Sequence, residues 1–248
     1  MNRLELLALR GVPAVEPGDD LAALLLDAAR ASGLELGGGV LVVCQKVVSK
    51  AEGRVVALAD VTPSAEALRI AAEDGKDARQ VELVLRESRR IVRRGHGVLI
   101  CETRHGFVCA NAGVDLSNAT GPDHAVLLPE DPDGSARALR DALMARGIGP
   151  LGVVVSDTFG RPWREGLVDV ALGCAGFAPI DDQRGGPDLA GRILEVTAAA
   201  TADQLAAAAG LLMPKRSGVP AVLVRGLTPM GDGRVRDTLR DPASDLFR

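Results

Sequence analysis

Two stretches of this chain carry acids and hydroxyls just past an apolar run. In Gly152–Gly166, the β-branched residues Val153, Val154 and Val155 read as a short buried strand. It runs out after Ser156 into Asp157–Thr158, followed by Gly160, Arg161, Pro162, Trp163 and Arg164. Ligand groups in α/β sheets collect at the carboxyl ends of strands, and an acid beside a hydroxyl suits a hard cation with oxygen ligands. Two arginines close behind suit phosphate or a substrate carboxylate. The alternative is a strand end with a capping Asp and a solvated turn. The second stretch follows the run Phe107–Ala110 and reads Asn111–Ala112–Gly113–Val114–Asp115–Leu116–Ser117–Asn118. Asp115 is a candidate second carboxylate beside Asp157, the alternative being an Asx turn. Lys46 and Lys50 follow a third apolar run, Val40–Cys44, and point either to bound phosphate or to solvent. The glycines before that run, Gly37–Gly39, form a flexible turn and do not match the GxxxxGK[ST] phosphate loop.

These groups need a scaffold. Strands are expected at Leu4–Leu9, Val40–Cys44, Val98–Cys101, Phe107–Ala110, Val153–Val155, Ile193–Thr197 and Val219–Arg225. A helix is expected from Pro17–Asp20 to near Gly33, with Leu21, Leu24, Leu25 and Ala28 on one face. Residues from Pro63 to about Arg94 read as helical with a break at Gly75, because Ala, Leu, Glu and Arg dominate. Helices Ala136–Arg146, behind the capping region Asp131–Ser135, and Ala202–Leu212 complete the set, and Met213–Gly218 is a basic loop. Strands and helices mix without strict βαβ alternation, which favours α+β, or two interleaved lobes, over a regular doubly wound sheet.

Composition removes several functions. With one Trp, four Phe and no Tyr, the core must be Val, Leu, Ile and Ala, which argues against a stacking platform for single-stranded nucleic acid. The formal net charge of −4 gives no general attraction to a polyanion, so a nucleotide needs a local basic cluster. Cys44, Cys101, Cys109 and Cys174 lack CxxC spacing and read as free thiols in a reducing compartment. His96, His105 and His124 are isolated, which argues against a Ser-His-Asp mechanism. The N-terminal stretch has no signal-peptide pattern and no apolar run spans a bilayer, so the expectation is a cytoplasmic protein with neither nucleic acid nor membrane as partner.

Taken in order, GVPAVEPGDDL, VVCQKVVSKAEGR, NAGVDLSN, LLPEDPDGSA, VVVSDTFGRPWREG, LEVT and GVPAVLVRG resemble the coenzyme F420-0:gamma-glutamyl ligase family, including the ligase part of its bacterial two-domain version. The likeness runs from about Leu6 to Phe247, and VSKAEG, AGVDxSN and DTxGRxxR are specific in combination. The resemblance implies one unit over 1–248, an α+β fold of two interleaved lobes with mixed sheets and flanking helices, an intertwined homodimer, and no C-terminal nitroreductase-like domain. It implies an amide ligase that uses GTP and Mg or Mn, with potassium a further candidate ion, to add L-glutamate to the deazaflavin precursor F420-0. An acyl phosphate on the precursor carboxylate and release of GDP belong to the same expectation, as does further γ-linked addition.

Carried over on the matching motifs, Asp115, Asp157 and Thr158 hold the metal, and Asn118 contacts the guanine nucleotide. Val12, Pro13, Ala14, Val15, Gln45, Lys46 and Lys50 form part of the nucleotide pocket, and Met213, Pro214, Lys215, Arg216 and Ser217 occupy a nucleotide loop. Arg161 and Arg164 rest on charge alone, as candidates for phosphate or substrate carboxylate. Two departures matter. Archaeal members carry a metal-binding Glu in a glycine-rich last loop, where this chain has Met213–Pro214–Lys215–Arg216, and an aromatic before LEVT is replaced by Ala190. A lysine there compensates phosphate charge and repels a second cation. The departures bear on nucleotide identity, metal count and acceptor. They keep open a related ligase with another carboxylate acceptor, and a non-catalytic nucleotide- or deazaflavin-binding protein.

Overall fold

The valine-rich runs pair with one another at the centre of the molecule, and everything else is layered on them. The computed structural model describes residues 3–117, 119, 121, 123–228 and 230–246. Along the chain lie β1 (Glu5–Leu9), α1 (Leu21–Ala31), β2 (Gly39–Cys44), α2 (Gln45–Ala51), β3 (Val55–Ala57), α3 (Ala65–Asp74) and α4 (Ala78–Arg86). Then come β4 (Ser88–Gly95), β5 (Val98–Thr103), β6 (Val108–Ala110), β7 (His124–Val126), α5 (Pro132–Ala145), β8 (Leu151–Arg161) and β9 (Arg164–Ala175). β10 (Asp181–Asp182), β11 (Ala198–Ala199), α6 (Thr201–Gly210) and β12 (Ala221–Arg225) close the series.

Five strands form the central sheet in the order β1-β12-β2-β8-β9. β2 and β8 run parallel, and the other neighbours are antiparallel. Successive strand side chains point to opposite faces. Leu41, Val43, Val153, Val155 and Leu223 therefore pack under α1 and α5, while Val40, Val42, Val154, Val222 and Val224 pack under α6. A sheet buried on both faces needs continuous apolar runs, which is what these strands are. Each fully buried valine contributes roughly 1.5–3 kcal/mol of hydrophobic stabilisation.

A separate lobe is built from the chain between β2–α2 and α5. It contains the pair β3–β7, the sheet β4-β5-β6, and α3 and α4 around Ile70, Val81, Val84, Leu99 and Leu127. The chain is thus α+β with mixed sheets and, among the described residues, six α-helices. α1 starts where expected, with the Asp20 carboxylate accepting from Ala23 N at 3.0 Å.

Several elements differ from the sequence reading. The helical stretch from Pro63 stops at Arg86, and Ser88–Gly95 is a strand paired with β5. Its arginines favour helix locally, but half-buried Ser88 and Ile91 and the ladder to β5 decide the outcome. Ile193–Thr197 is not a strand; Ile193 makes a single bridge to Pro187, and β11 begins at Ala198. α5 starts at Pro132 rather than Ala136, and its Asp133 carboxylate instead accepts backbone N–H groups from Cys174, Val235 and Arg236. The Val153 strand does not end at Ser156: β8 continues through Asp157 and Thr158 to Arg161 and turns back at Pro162–Trp163 into β9.

Candidate functional site

A cavity of about 720 Å³ opens where the carboxyl ends of β2 and β8 meet the lobe. Its sheet-side wall carries Asp157 and Thr158 from β8, Asp169 from β9, and Lys46 and Lys50 from α2. The lobe contributes Asn111, Asp115 and Ser117. Val12, Pro13, Ala14 and Val15 line one margin, and Met213, Pro214 and Lys215 another.

The lysines sit on a helix for which the sequence analysis names no element. α2 begins directly at the end of β2, so Lys46 and Lys50 fall one turn apart on the same face. Lys46 Nζ donates to Asp115 Oδ2 at 2.9 Å, to Ser117 O at 2.9 Å and to Ser117 Oγ at 3.1 Å, which uses all three of its protons. This cluster joins the lobe to the sheet. Lys50 also faces the cavity, and burial together with the nearby Lys46 charge lowers its pKa.

Asp115 is held by backbone as well as by charge. It bridges Val126 through two main-chain hydrogen bonds, and its Oδ1 accepts from Ser117 N at 2.6 Å. The Asx turn and the cavity-facing carboxylate are therefore the same structure. The turn before it places three consecutive residues in the left-handed region: Asn111 (φ 51), Ala112 (φ 52) and Gly113 (φ 75). Non-glycine residues there cost about 1–3 kcal/mol each and persist only when packing enforces them. Ala112 is buried, Gly113 lies so close to Leu128 that any side chain would collide, and Lys76 Nζ donates to Asn111 Oδ1 at 3.1 Å.

The two facing carboxylates have opposite electrostatics. Burial alone would raise the Asp115 pKa, but the Lys46 ammonium and the Ser117 N–H outweigh it and hold the carboxyl below its usual range. Burial pushes Asp157 up to about 7; the neighbouring Asp115 and Asp169 carboxylates add to the rise, against the Thr158 N–H and Lys46. Lys215 Nζ comes to 3.9 Å from Asp115 Oδ2, the oxygen already taken by Lys46.

Cys44 and Cys109 also line the cavity, but burial pushes their thiols up to about 11 and about 12, so neither is a thiolate nucleophile at neutral pH. Among the described residues, no three His, Cys, Asp or Glu side chains cluster as a ready metal-ligand set. The donors that do converge are carboxylate and hydroxyl oxygens, and Asp157 is a half-buried acid without an ion pair among the described residues. That donor chemistry fits a hard divalent cation completed by ligand or water oxygens.

Other expected site residues lie elsewhere. Gln45 is fully buried beneath the cavity-lining residues of α2, where its Oε1 accepts from Ser49 Oγ at 2.8 Å and its Nε2 has no partner among the described residues. Arg161 and Arg164 are exposed at the β8–β9 tip and do not line the cavity; Arg161 donates to Glu165 O at 3.4 Å. Arg216 and Ser217 belong to the turn beyond Lys215 and do not line it either; Ser217 Oγ accepts from Val219 N at 3.2 Å. Asn118 lies outside the described residues. Asp169 was missed by the sequence reading because it sits inside the apolar run Leu167–Leu172; the β8–β9 register sets it opposite Thr158.

A family model described as F420-0:Gamma-glutamyl ligase matches residues 11–226. The chain is 48% identical over 251 residues to the coenzyme F420:L-glutamate ligase of Methanothermobacter thermautotrophicus, with 99% of each chain covered. It is 46% identical over 257 residues to the protein of the same name from Methanopyrus kandleri, with both chains fully covered. The similarly named protein of Archaeoglobus fulgidus is 42% identical over 248 residues, covering 99% of this chain and 97% of the other.

Proposed function

Since the chain belongs to the F420-0:gamma-glutamyl ligase family, we propose that it is a ligase that adds L-glutamate to the deazaflavin precursor F420-0, using GTP and Mg or Mn. The observation that carries this reading is the meeting, in one cavity, of three carboxylates and the Thr158 hydroxyl with three lysines. At about 720 Å³ the cavity falls in the range of small-molecule sites, roughly 300–1,000 Å³.

In this reading Asp157 and Thr158, with Asp115 opposite, hold the divalent cation. Once bound, the cation neutralises phosphate oxygens and polarises the phosphoryl group. The protein itself does little covalent work, and its task is placement and charge. Lys50 faces the cavity without a hydrogen bond or ion pair among the described residues, which suits a phosphate oxygen. Lys215 supplies a second movable ammonium from the opposite margin. Lys46, saturated by Asp115 and Ser117, keeps the two walls in register and adds positive potential. The precursor carboxylate attacks the γ-phosphorus and GDP leaves. The glutamate amine then attacks the acyl carbon, an amide bond forms, and inorganic phosphate leaves.

The proposed partner is a second copy of the chain. Trp163 and Leu167 at the β8–β9 hairpin, and Leu189, Ile193 and Val196 in the segment after it, leave apolar side chains exposed. Sedimentation of the purified chain tests this, with a monomer as the overturning result.

The main experiment is a mass-spectrometric ligation assay with F420-0, L-glutamate, Mn and either GTP or ATP. A mass gain of one or more glutamyl units with GTP is the expected result. GTP consumed without a glutamylated product would favour a related ligase with another acceptor. Neither binding nor consumption of nucleotide would overturn the ligase reading.

A further inference from the structure

Thr158 Oγ donates to Asp169 Oδ1 at 2.6 Å, across the directly paired positions of β8 and β9. That is the short range of a hydroxyl bonded to an ionised carboxylate. A threonine hydroxyl has one proton and two lone pairs. With the proton committed to Asp169, both lone pairs remain free as donors toward the cavity that Thr158 lines. We propose that Asp169 is a positioning residue for a divalent-cation site, acting by fixing the rotor of the Thr158 hydroxyl. The inference rests on the cation reading above and deepens it.

The surroundings of Asp169 argue against a purely structural carboxylate. Among the described residues it forms no ion pair. It packs against Gly210 in the last turn of α6, so closely that any side chain at 210 would collide with its carboxylate. Helix carbonyls at a C-terminus carry partial negative charge, so this is an unfavourable place for an acid unless positive charge arrives. Asp169 lines the cavity, and the Thr158 hydroxyl bound to its Oδ1 is the link through which it would act on a cation. Outer carboxylates that orient a ligand typically change metal affinity by about 10–100-fold when removed.

The test is Mn²⁺ binding to the purified full-length chain, read from the free-Mn²⁺ electron paramagnetic resonance signal, in wild type, D157A, T158A, D169A, D169N and T158A/D169A. The expected result is a loss of affinity of about tenfold in D169A. No further loss is expected when D169A is added to T158A, because the acid then has no hydroxyl to orient. D169N, whose amide oxygen still accepts the Thr158 proton, should recover part of the loss, and circular dichroism of that near-isosteric variant guards against misfolding. If D157A loses Mn²⁺ while D169A stays within twofold of wild type, the positioning role falls and the cation reading stands. Losses that multiply in the double variant also overturn it, since Asp169 would then act on its own. If wild type binds no Mn²⁺, or D157A binds it as well as wild type does, both the cation reading and this inference fall.

Discussion

The lobe wall and the sheet wall of the cavity each hold a carboxylate out of bulk water, under contrary conditions. On the lobe, Asp115 has Lys46 at 2.9 Å, a backbone N–H at 2.6 Å and Lys215 at 3.9 Å. On the sheet, Asp157 has the carboxylates of Asp115 and Asp169 near it, Lys46 as its main counter-charge, and no ion pair among the described residues. Asp115 is thus neutralised within the protein, which leaves Lys50 on the sheet side and Lys215 on the far margin to meet an anion. Asp157 forms no ion pair among the described residues, and it is there that a bound cation gains most. A metal-nucleotide would be oriented by this asymmetry before any specific contact forms.

The largest expected effect comes from removing the uncompensated acid. Asp157→Ala should lower turnover by roughly 10³-fold, the scale of losing a main electrostatic group, with the fold retained. Asp157→Asn tests the charge separately. The folded carboxyl titrates near 7 and its ordinary value is 3.8. The folded state therefore holds the extra proton between those values, and stability of the metal-free protein falls as pH rises through that window. The variant should lose this slope, melting several degrees above wild type at pH 8, and added Mn²⁺ should raise the melting temperature of wild type only. Parallel melting curves from pH 5 to 8 would show that Asp157 is not held against its own charge.

Next in size is the seam between the walls. Lys46→Met removes three hydrogen bonds and leaves Asp115 and the Ser117 carbonyl to water or to Lys215. The expected cost is about 1–3 kcal/mol in urea unfolding, the usual range for stranding a partly buried polar group. Turnover should fall as well, since Asp115 loses its anchor. Unchanged stability together with normal activity would mean that the lobe is held by its apolar contacts alone.

The same two regions differ in how far the sequence reveals them. The central strands are buried on both faces, so a one-dimensional run of valines is enough to find them. The lobe depends on pairing between distant segments. Ser88–Gly95 carries four arginines and reads as helix, yet it lies in a ladder with β5 that no local window contains. Asp157, Thr158, Asp115 and Lys46 could be singled out because polar residues break apolar runs at those points. Asp169 could not, because one acid inside Leu167–Leu172 looks like an exposed strand position until the hairpin register sets it against Thr158. The β8–β9 turn at Pro162–Trp163 is the signal that would have located it to within a residue or two.

Lys215 offers a smaller and sharper test of the asymmetry. Its side chain is mostly exposed and its contact with Asp115 is long, so Lys215→Ala should change stability by less than about 0.5 kcal/mol. Nucleotide affinity should weaken by about fivefold, most visibly at low salt, because a solvated ammonium acts through a screened field. Lys215→Glu reverses the charge and sets a further acid near Asp115, on the margin opposite Asp157. Mn²⁺ bound per chain should then rise from one to two. An unchanged stoichiometry in that variant would mean that the charge of this loop does not set the number of cations.

The smallest expected effect concerns Arg161, which charge and proximity in sequence make a phosphate ligand but which lies at the exposed hairpin tip, outside the cavity. β8 spans Asp157 to Arg161 with an irregularity in its pairing after Phe159, and a strand advances about 3.3 Å per residue, so four residues carry the Cα of Arg161 up to about 13 Å from that of Asp157. The side chain donates back to Glu165 O rather than reaching toward the acids. Within one chain, Arg161→Ala should therefore change Mn²⁺ affinity by less than about twofold, since exposed charges separated by more than a Debye length of about 8 Å are largely screened at physiological salt. A loss comparable to that of Asp157→Ala would mean that the hairpin folds back over the cavity when the site is filled, and Asp157 would then gain a cationic neighbour from its own strand.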